Sequence, residues 1–159
     1  GNIMIQKILF ICTGNTCRSL MAEYLLKKMA KEDGLEIEVR SAGISAWVNS
    51  QIPALTLVVL KKEEISPDGH VVTPLTTTLI EWADLILTME TPHLNRVIGL
   101  VPEARGKVFL LTEYGNTTLR DKQGIPDPFG GSREAYETCI TKIKGCLGQL
   151  VQILKDGKK

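Results

Sequence analysis

The sequence predicts an α/β fold: a three-layer sandwich in which a four-stranded parallel sheet carries helices on both faces. Three observations lead there. Apolar runs without polar alternation, such as Ile8-Leu9-Phe10-Ile11 and Leu85-Ile86-Leu87, read as strands buried on both sides. Stretches with apolar residues three and four apart lie between them and read as helices. Strands alternate with helices along the chain, and that order implies parallel strands joined by crossovers. A length of 159 residues with 43% hydrophobic residues suits a single domain, 1–159, with one core.

Residues 5–12 read as the first strand. Residues 19–31 read as a helix, with Ser19 as its cap, Met21, Tyr24, Leu25, Lys28 and Met29 near helical spacing, and Gly34 as its stop. Residues 36–42 alternate, with Ile37, Val39 and Ser41 on one face, and form the second strand. Residues 53–63 are helical with Pro53 near the first turn, and Lys61-Lys62 and Glu63-Glu64 are its solvated face. Residues 76–83 give a short helix, 84–89 the third strand, 92–100 a helix and 107–111 the fourth strand. A long loop covers 113–131. The last helix spans 133–154, where Tyr136, Ile140, Ile143, Leu147, Leu150 and Leu154 recur at periods of three and four. Cys139 and Cys146, seven apart, share that apolar face and read as core.

Composition excludes several function classes. A net charge of +1 provides no field toward nucleic acid or anionic membrane, and 5% aromatic residues do not make a base-stacking platform. No apolar run approaches the roughly 18 residues that span a bilayer, and the N-terminus lacks signal-peptide form. Four cysteines are too few and too unevenly spaced for a disulfide framework. These features predict a cytoplasmic monomer with reduced thiols. His70 and His93 are isolated and the cysteine spacing offers no four-ligand set, so no metal is expected. No Walker loop or dinucleotide fingerprint is present, and no cofactor is expected. His70, after Pro67-Asp68-Gly69, is expected on a surface loop.

Ligands of such sheets bind beyond the carboxyl ends of the strands, and Cys12 stands at one of those ends. It opens the string Cys12-Thr13-Gly14-Asn15-Thr16-Cys17-Arg18-Ser19. A thiol becomes a strong nucleophile as its thiolate, which nearby positive charge and a helix N-terminus favour. Arg18 and the following helix offer both. The amides of residues 13–18 suit a concave nest for phosphate oxygens. Gly14 permits a positive φ or close approach, and Asn15 tolerates the left-handed region. Arg18 grips two oxygens at once, and the Ser19 hydroxyl is placed to bond the sulfur. The plainer alternative is a buried cysteine acting as a small hydrophobe at a strand end. Far downstream, Asp127-Pro128-Phe129-Gly130-Gly131 reads in two ways: a loop acid that protonates a leaving atom, or ordinary turn chemistry.

Taken in order, Cys12 to Ser19, Met21-Ala22-Glu23, Ser41-Ala42-Gly43, Asp84-Leu85 before a strand, and Asp127-Pro128 resemble the low-molecular-weight protein tyrosine phosphatases. The resemblance covers nearly the entire chain. It implies a four-stranded parallel sheet with helices on both sides, Cys12 as nucleophile, Arg18 as phosphate clamp and Asp127 as general acid, with phosphorylated proteins as substrates. Tyrosine-directed members usually carry a larger aliphatic residue at the position of Thr16. The bacterial protein arginine phosphatases carry threonine there, often with Asp-Pro-Phe-Gly-Gly, as here. Trp47 pulls the other way, because it falls where tyrosine-directed members place an aromatic cleft wall; a packing role is its alternative. Gly130 and Gly131 replace aromatic residues common in those members. Leu20 stands where proline is common, which predicts a slightly looser helix start.

Two further readings stay open. Cys17 is either a redox partner for an oxidised Cys12 or a packing residue beneath the loop. A non-catalytic phosphoprotein-binding or redox-sensing module is the rival to an enzyme. Arsenate reductases of similar fold use an additional cysteine pair near the middle of the chain, where this chain has none.

Overall fold

The computed structural model describes residues 4–115 and 123–157. Part of the long loop expected at 113–131 therefore lies outside the described residues. Four parallel strands form one sheet in the order β2-β1-β3-β4: β1 Lys7–Cys12, β2 Glu38–Gly43, β3 Leu85–Thr88 and β4 Val108–Leu110. The helices are α1 Arg18–Glu32, α2 Ala54–Lys62, α3 Thr77–Trp82, α4 Thr91–Leu100 and α5 Arg133–Asp156. The expected elements are all present. The one addition is a short 3-10 segment, Pro102–Gly106, between α4 and β4.

The period of two along β1 divides the core. Ile8, Phe10 and Cys12 face a cluster built with α1, α2 and α5, while Leu9 and Ile11 face one built with α3 and α4. Both faces of the sheet are covered, so the strands read as continuous apolar runs. Leu20 is fully buried in the first turn of α1, which begins at Arg18.

Strand order places the site. The chain runs from β1 through α1 to β2 on one side, and β3 lies on the other. The direction of winding thus reverses at β1, and a crevice opens beyond its carboxyl end, as at other switch points in open α/β sheets. In the register, Cys12 pairs with Gly43 and Ile11 with Thr88. Gly43 is required there: a Cβ on it stands 2.4 Å from the Thr13 carbonyl oxygen and 3.0 Å from the Asn15 amide nitrogen. The Cys12 loop consequently lies directly against the end of β2.

Candidate active site

The residues between β1 and α1 curl into a bowl around the Cys12 sulfur. Asn15 makes the curl, with φ of 60° in the left-handed region. Its side chain holds that conformation: Oδ1 accepts from the Thr73 amide at 3.0 Å, and Nδ2 donates to Ser19 Oγ and Ser41 Oγ, each at 2.8 Å. Gly14 keeps a negative φ, and a Cβ there meets only Thr16 Oγ1 at 3.7 Å. The conformational need expected at Gly14 therefore falls on Asn15 alone.

The polarity of this network follows from its ends. Ser41 donates to the Glu23 carboxylate, so its oxygen is left to accept from Asn15. Ser19 also accepts from Asn15, so its own proton points to Cys12 Sγ, 2.8 Å away. The Asn15 amide donates to the same sulfur at 3.2 Å. Cys12 Sγ thus accepts two hydrogen bonds, the arrangement a thiolate wants.

Ser19 is not the helix cap it was expected to be. Cys17 occupies that position and no side chain caps α1, so the first amides of α1 stay available for an anion. Burial pushes the Cys12 thiol up from its ordinary value. The Ser19 hydroxyl, the Ser19 amide, Arg18 and the Asn15 amide pull it down. The donors expected from the sequence are in place, and dehydration outweighs them in the free protein.

Arg18 is 2% exposed and closely held. Its Nη1 donates to Glu90 Oε1 and, at 2.8 Å, to the Ile125 carbonyl. Both Nη1 hydrogens are thereby used. Nη2 lies 3.4 Å from Thr13 Oγ1 and 3.7 Å from Asp127 Oδ2. The edge formed by Nε and Nη2 is the fork suited to two phosphoryl oxygens.

Cys12, Thr13, Gly14, Thr16, Cys17, Arg18, Trp47, Asp127 and Phe129 line one cavity of about 400 Å³. Asn15 and Ser19 are fully buried beneath it. Asp127 accepts from the Phe129 amide through Oδ1 at 3.0 Å, and Gly130, with φ of 77°, completes the turn into α5. The turn reading and the position of an acid at the cavity edge are therefore both met. Trp47 is 78% exposed, so it is no packing residue. Cys17 is buried under the loop, with its sulfur 3.8 Å from the Tyr136 hydroxyl and 3.5 Å from Thr56 Oγ1. Of the two helix cysteines expected in the core, Cys139 is buried and Cys146 is partly buried against it.

Several supporting residues carried no local signal. Thr56, at the start of α2, donates to the Thr16 carbonyl at 3.2 Å. Glu90 anchors Arg18 from the end of β3. His93, in the first turn of α4, lies 2.9 Å from Thr13 Oγ1. The expectation of His70 on a surface loop is corrected: its backbone follows the expected turn, but its side chain is 3% exposed. Nε2 of His70 lies 3.1 Å from the Asn15 carbonyl, and Nδ1 lies 3.9 Å from Glu23 Oε1.

Residues 7–159 match the family described as low molecular weight phosphotyrosine protein phosphatase. The chain belongs to this family. A protein-arginine-phosphatase of Bacillus subtilis (strain 168) is 40% identical over 152 residues, covering 96% of this chain and 99% of the relative. The protein-tyrosine-phosphatase Wzb of Escherichia coli (strain K12) is 35% identical over 151 residues, covering 95% and 97%. Among solved structures, a mutant of the YwlE arginine phosphatase with a phosphorylated active-site serine superposes with a TM-score of 0.88 at 39% identity, covering 94% of this chain and 96% of that one. Among the described residues, no helix is long and apolar enough to cross a membrane.

Proposed function

We propose that the chain is a single phosphatase domain that hydrolyses phosphoarginine in proteins through a cysteinyl-phosphate. The observation that carries this reading is the pairing in one cavity of a sulfur accepting two hydrogen bonds with an arginine whose Nη1 is fully engaged. Such preorganised charge is what phosphoryl transfer needs.

The Cys12 thiolate attacks phosphorus in line while Arg18 and the loop amides hold the equatorial oxygens. The P–N bond breaks, and Asp127 gives its proton to the departing guanidino nitrogen. Water then attacks phosphorus and yields a proton to the Asp127 carboxylate. The S–P bond breaks, releasing inorganic phosphate and the thiolate. No step calls for a metal or cofactor.

Phosphoarginine is favoured by three features. Thr16 is small and polar, and it lines the cavity beside Cys12. Asp127 Oδ2, 3.7 Å from Arg18 Nη2, is placed to pair with a guanidinium whose phosphoryl group is held on that fork. The two protein-arginine-phosphatases of Bacillus subtilis and Geobacillus stearothermophilus are 40% and 35% identical to this chain. Phosphotyrosine is the second reading. It is favoured by Trp47 and Phe129, 78% and 70% exposed at the cavity, which offer ring faces to an aryl group. Work in the cytoplasm is part of the proposal; Cys12, Cys17 and Cys139 form no disulfide, which suits that compartment.

Side-by-side rates on a phosphoarginine protein and a phosphotyrosine protein test the substrate. Wild type is expected to prefer the first. Thr16→Ile, which adds bulk and removes the hydroxyl, is expected to move the ratio toward phosphotyrosine by roughly ten-fold or more. An unchanged ratio refutes the specificity argument.

A further inference from the structure

Three groups meet on the Arg18 side of the cavity with their hydrogen-bond roles fixed by geometry. The Glu90 amide donates to His93 Nδ1 at 3.0 Å. That nitrogen therefore holds a lone pair, and the neutral ring carries its proton on Nε2. Nε2–H then donates to Thr13 Oγ1, 2.9 Å away. Arg18 Nη2 approaches the same oxygen at 3.4 Å. Both lone pairs of the Thr13 hydroxyl are directed at these donors, so its own proton must point elsewhere. Thr13 is exposed and lines the cavity.

We propose that His93 is a positioning residue for the reaction: it fixes the Thr13 hydroxyl as a donor to the phosphoryl oxygen held by Arg18. The inference rests on the phosphatase reading and deepens it. In the loop, Thr13 supplies an amide as every residue there does; its side chain adds a directed donor beside the guanidinium fork. Burial and Arg18 hold the His93 ring down at about 4, against Glu90 and Asp127, so the neutral form persists at neutral pH. The competing explanation is that His93 serves only to cap α4 through its bond to the Glu90 amide.

Two substitutions separate the roles. His93→Asn keeps an acceptor near the Nδ1 position and loses the reach to Thr13. His93→Gln offers both an acceptor to the Glu90 amide, as glutamine does at this helix position, and a donor near the Nε2 position. Turnover of an aryl phosphate, inhibition by inorganic phosphate and thermal unfolding are measured for both, for Thr13→Val and for the double variant Thr13→Val/His93→Asn. Thr13→Val and His93→Asn are each expected to lower kcat/KM about ten-fold, the worth of one hydrogen bond to a charged group. Each should also weaken phosphate inhibition by a similar factor. The double variant should fall no further than either single one, because both remove the same bond. His93→Gln should unfold near the wild-type temperature and recover most of the activity. Imidazole ¹⁵N spectra should show the proton on Nε2.

Full activity in Thr13→Val, multiplying losses in the double variant, or a proton on Nδ1 overturns the inference while leaving the phosphatase reading standing. Absence of aryl phosphate turnover by wild type overturns that reading and the inference with it.

Discussion

Replacing Ser19 with alanine removes one of the two hydrogen bonds that Cys12 Sγ accepts. It also deprives one Asn15 Nδ2–H of its acceptor. A hydrogen bond to a charged group contributes about 1.5–3 kcal/mol. Its loss lowers the thiolate population roughly ten- to a hundred-fold at any pH where the thiol form dominates. Because the thiolate is the nucleophile, kcat/KM should fall by the same factor. The assay is alkylation of Cys12 by iodoacetamide as a function of pH, read on the Cys12 peptide by mass spectrometry, beside aryl phosphate turnover. Both curves for Ser19→Ala should move to higher pH and approach wild type in alkaline solution. Thermal unfolding serves as control, since the orphaned amide hydrogen also costs stability. An alkylation curve that superimposes on wild type while activity falls would refute the argument, because the serine would then act on something other than sulfur.

Other expected outcomes concern the acid, the sheet end and pH. Asp127→Asn should reduce kcat/KM at least 100-fold for poor leaving groups, and much less for an activated aryl phosphate; equal losses on both would exclude the acid role. Gly43→Ala forces a Cβ against the Thr13 carbonyl at 2.4 Å and should cost about 1–3 kcal/mol in urea unfolding, with loss of phosphate binding; wild-type stability would contradict the close packing of loop on strand. His93 titrates near 4 when folded against an ordinary 6.5, held down by burial and Arg18. The unfolded chain therefore takes up that proton first as pH falls. The contribution to stability is full above 6.5 and is lost as pH drops through about 4. His93→Asn should show a shallower loss than wild type across that window, and parallel curves would exclude His93 as its source.

The parts of this site that are contiguous in sequence could be read before the structure was seen. A buried strand, a thiol at its end, a left-handed Asn15, an arginine and a helix start all lie within residues 5–31, and local sterics and periodicity report on them directly. Asp127 was legible as a choice between acid and turn; the Asp127–Phe129 bond makes the turn, and the proposed acid role rests on its place at the cavity. What escaped is the set of supports from distant segments. Glu90 reaches Arg18 across 72 residues, His70 reaches Asn15 across 55, and His93 reaches Thr13 across 80. A lone histidine or glutamate has no periodic signature; only the sheet order brings these segments to the same strand end. Ser19 misled for a related reason. Serine before an apolar helix usually caps it, but here a nearby sulfur takes its proton and the helix starts one residue earlier.

The account turns on covalent chemistry at one sulfur, and rapid acid quenching during turnover of an aryl phosphate, followed by mass spectrometry, interrogates it most directly. A phosphoryl group on the Cys12 peptide, absent without substrate and lost together with turnover in Cys12→Ser, is the predicted result. Steady turnover with unmodified Cys12, or sustained activity in Cys12→Ser, would contradict it.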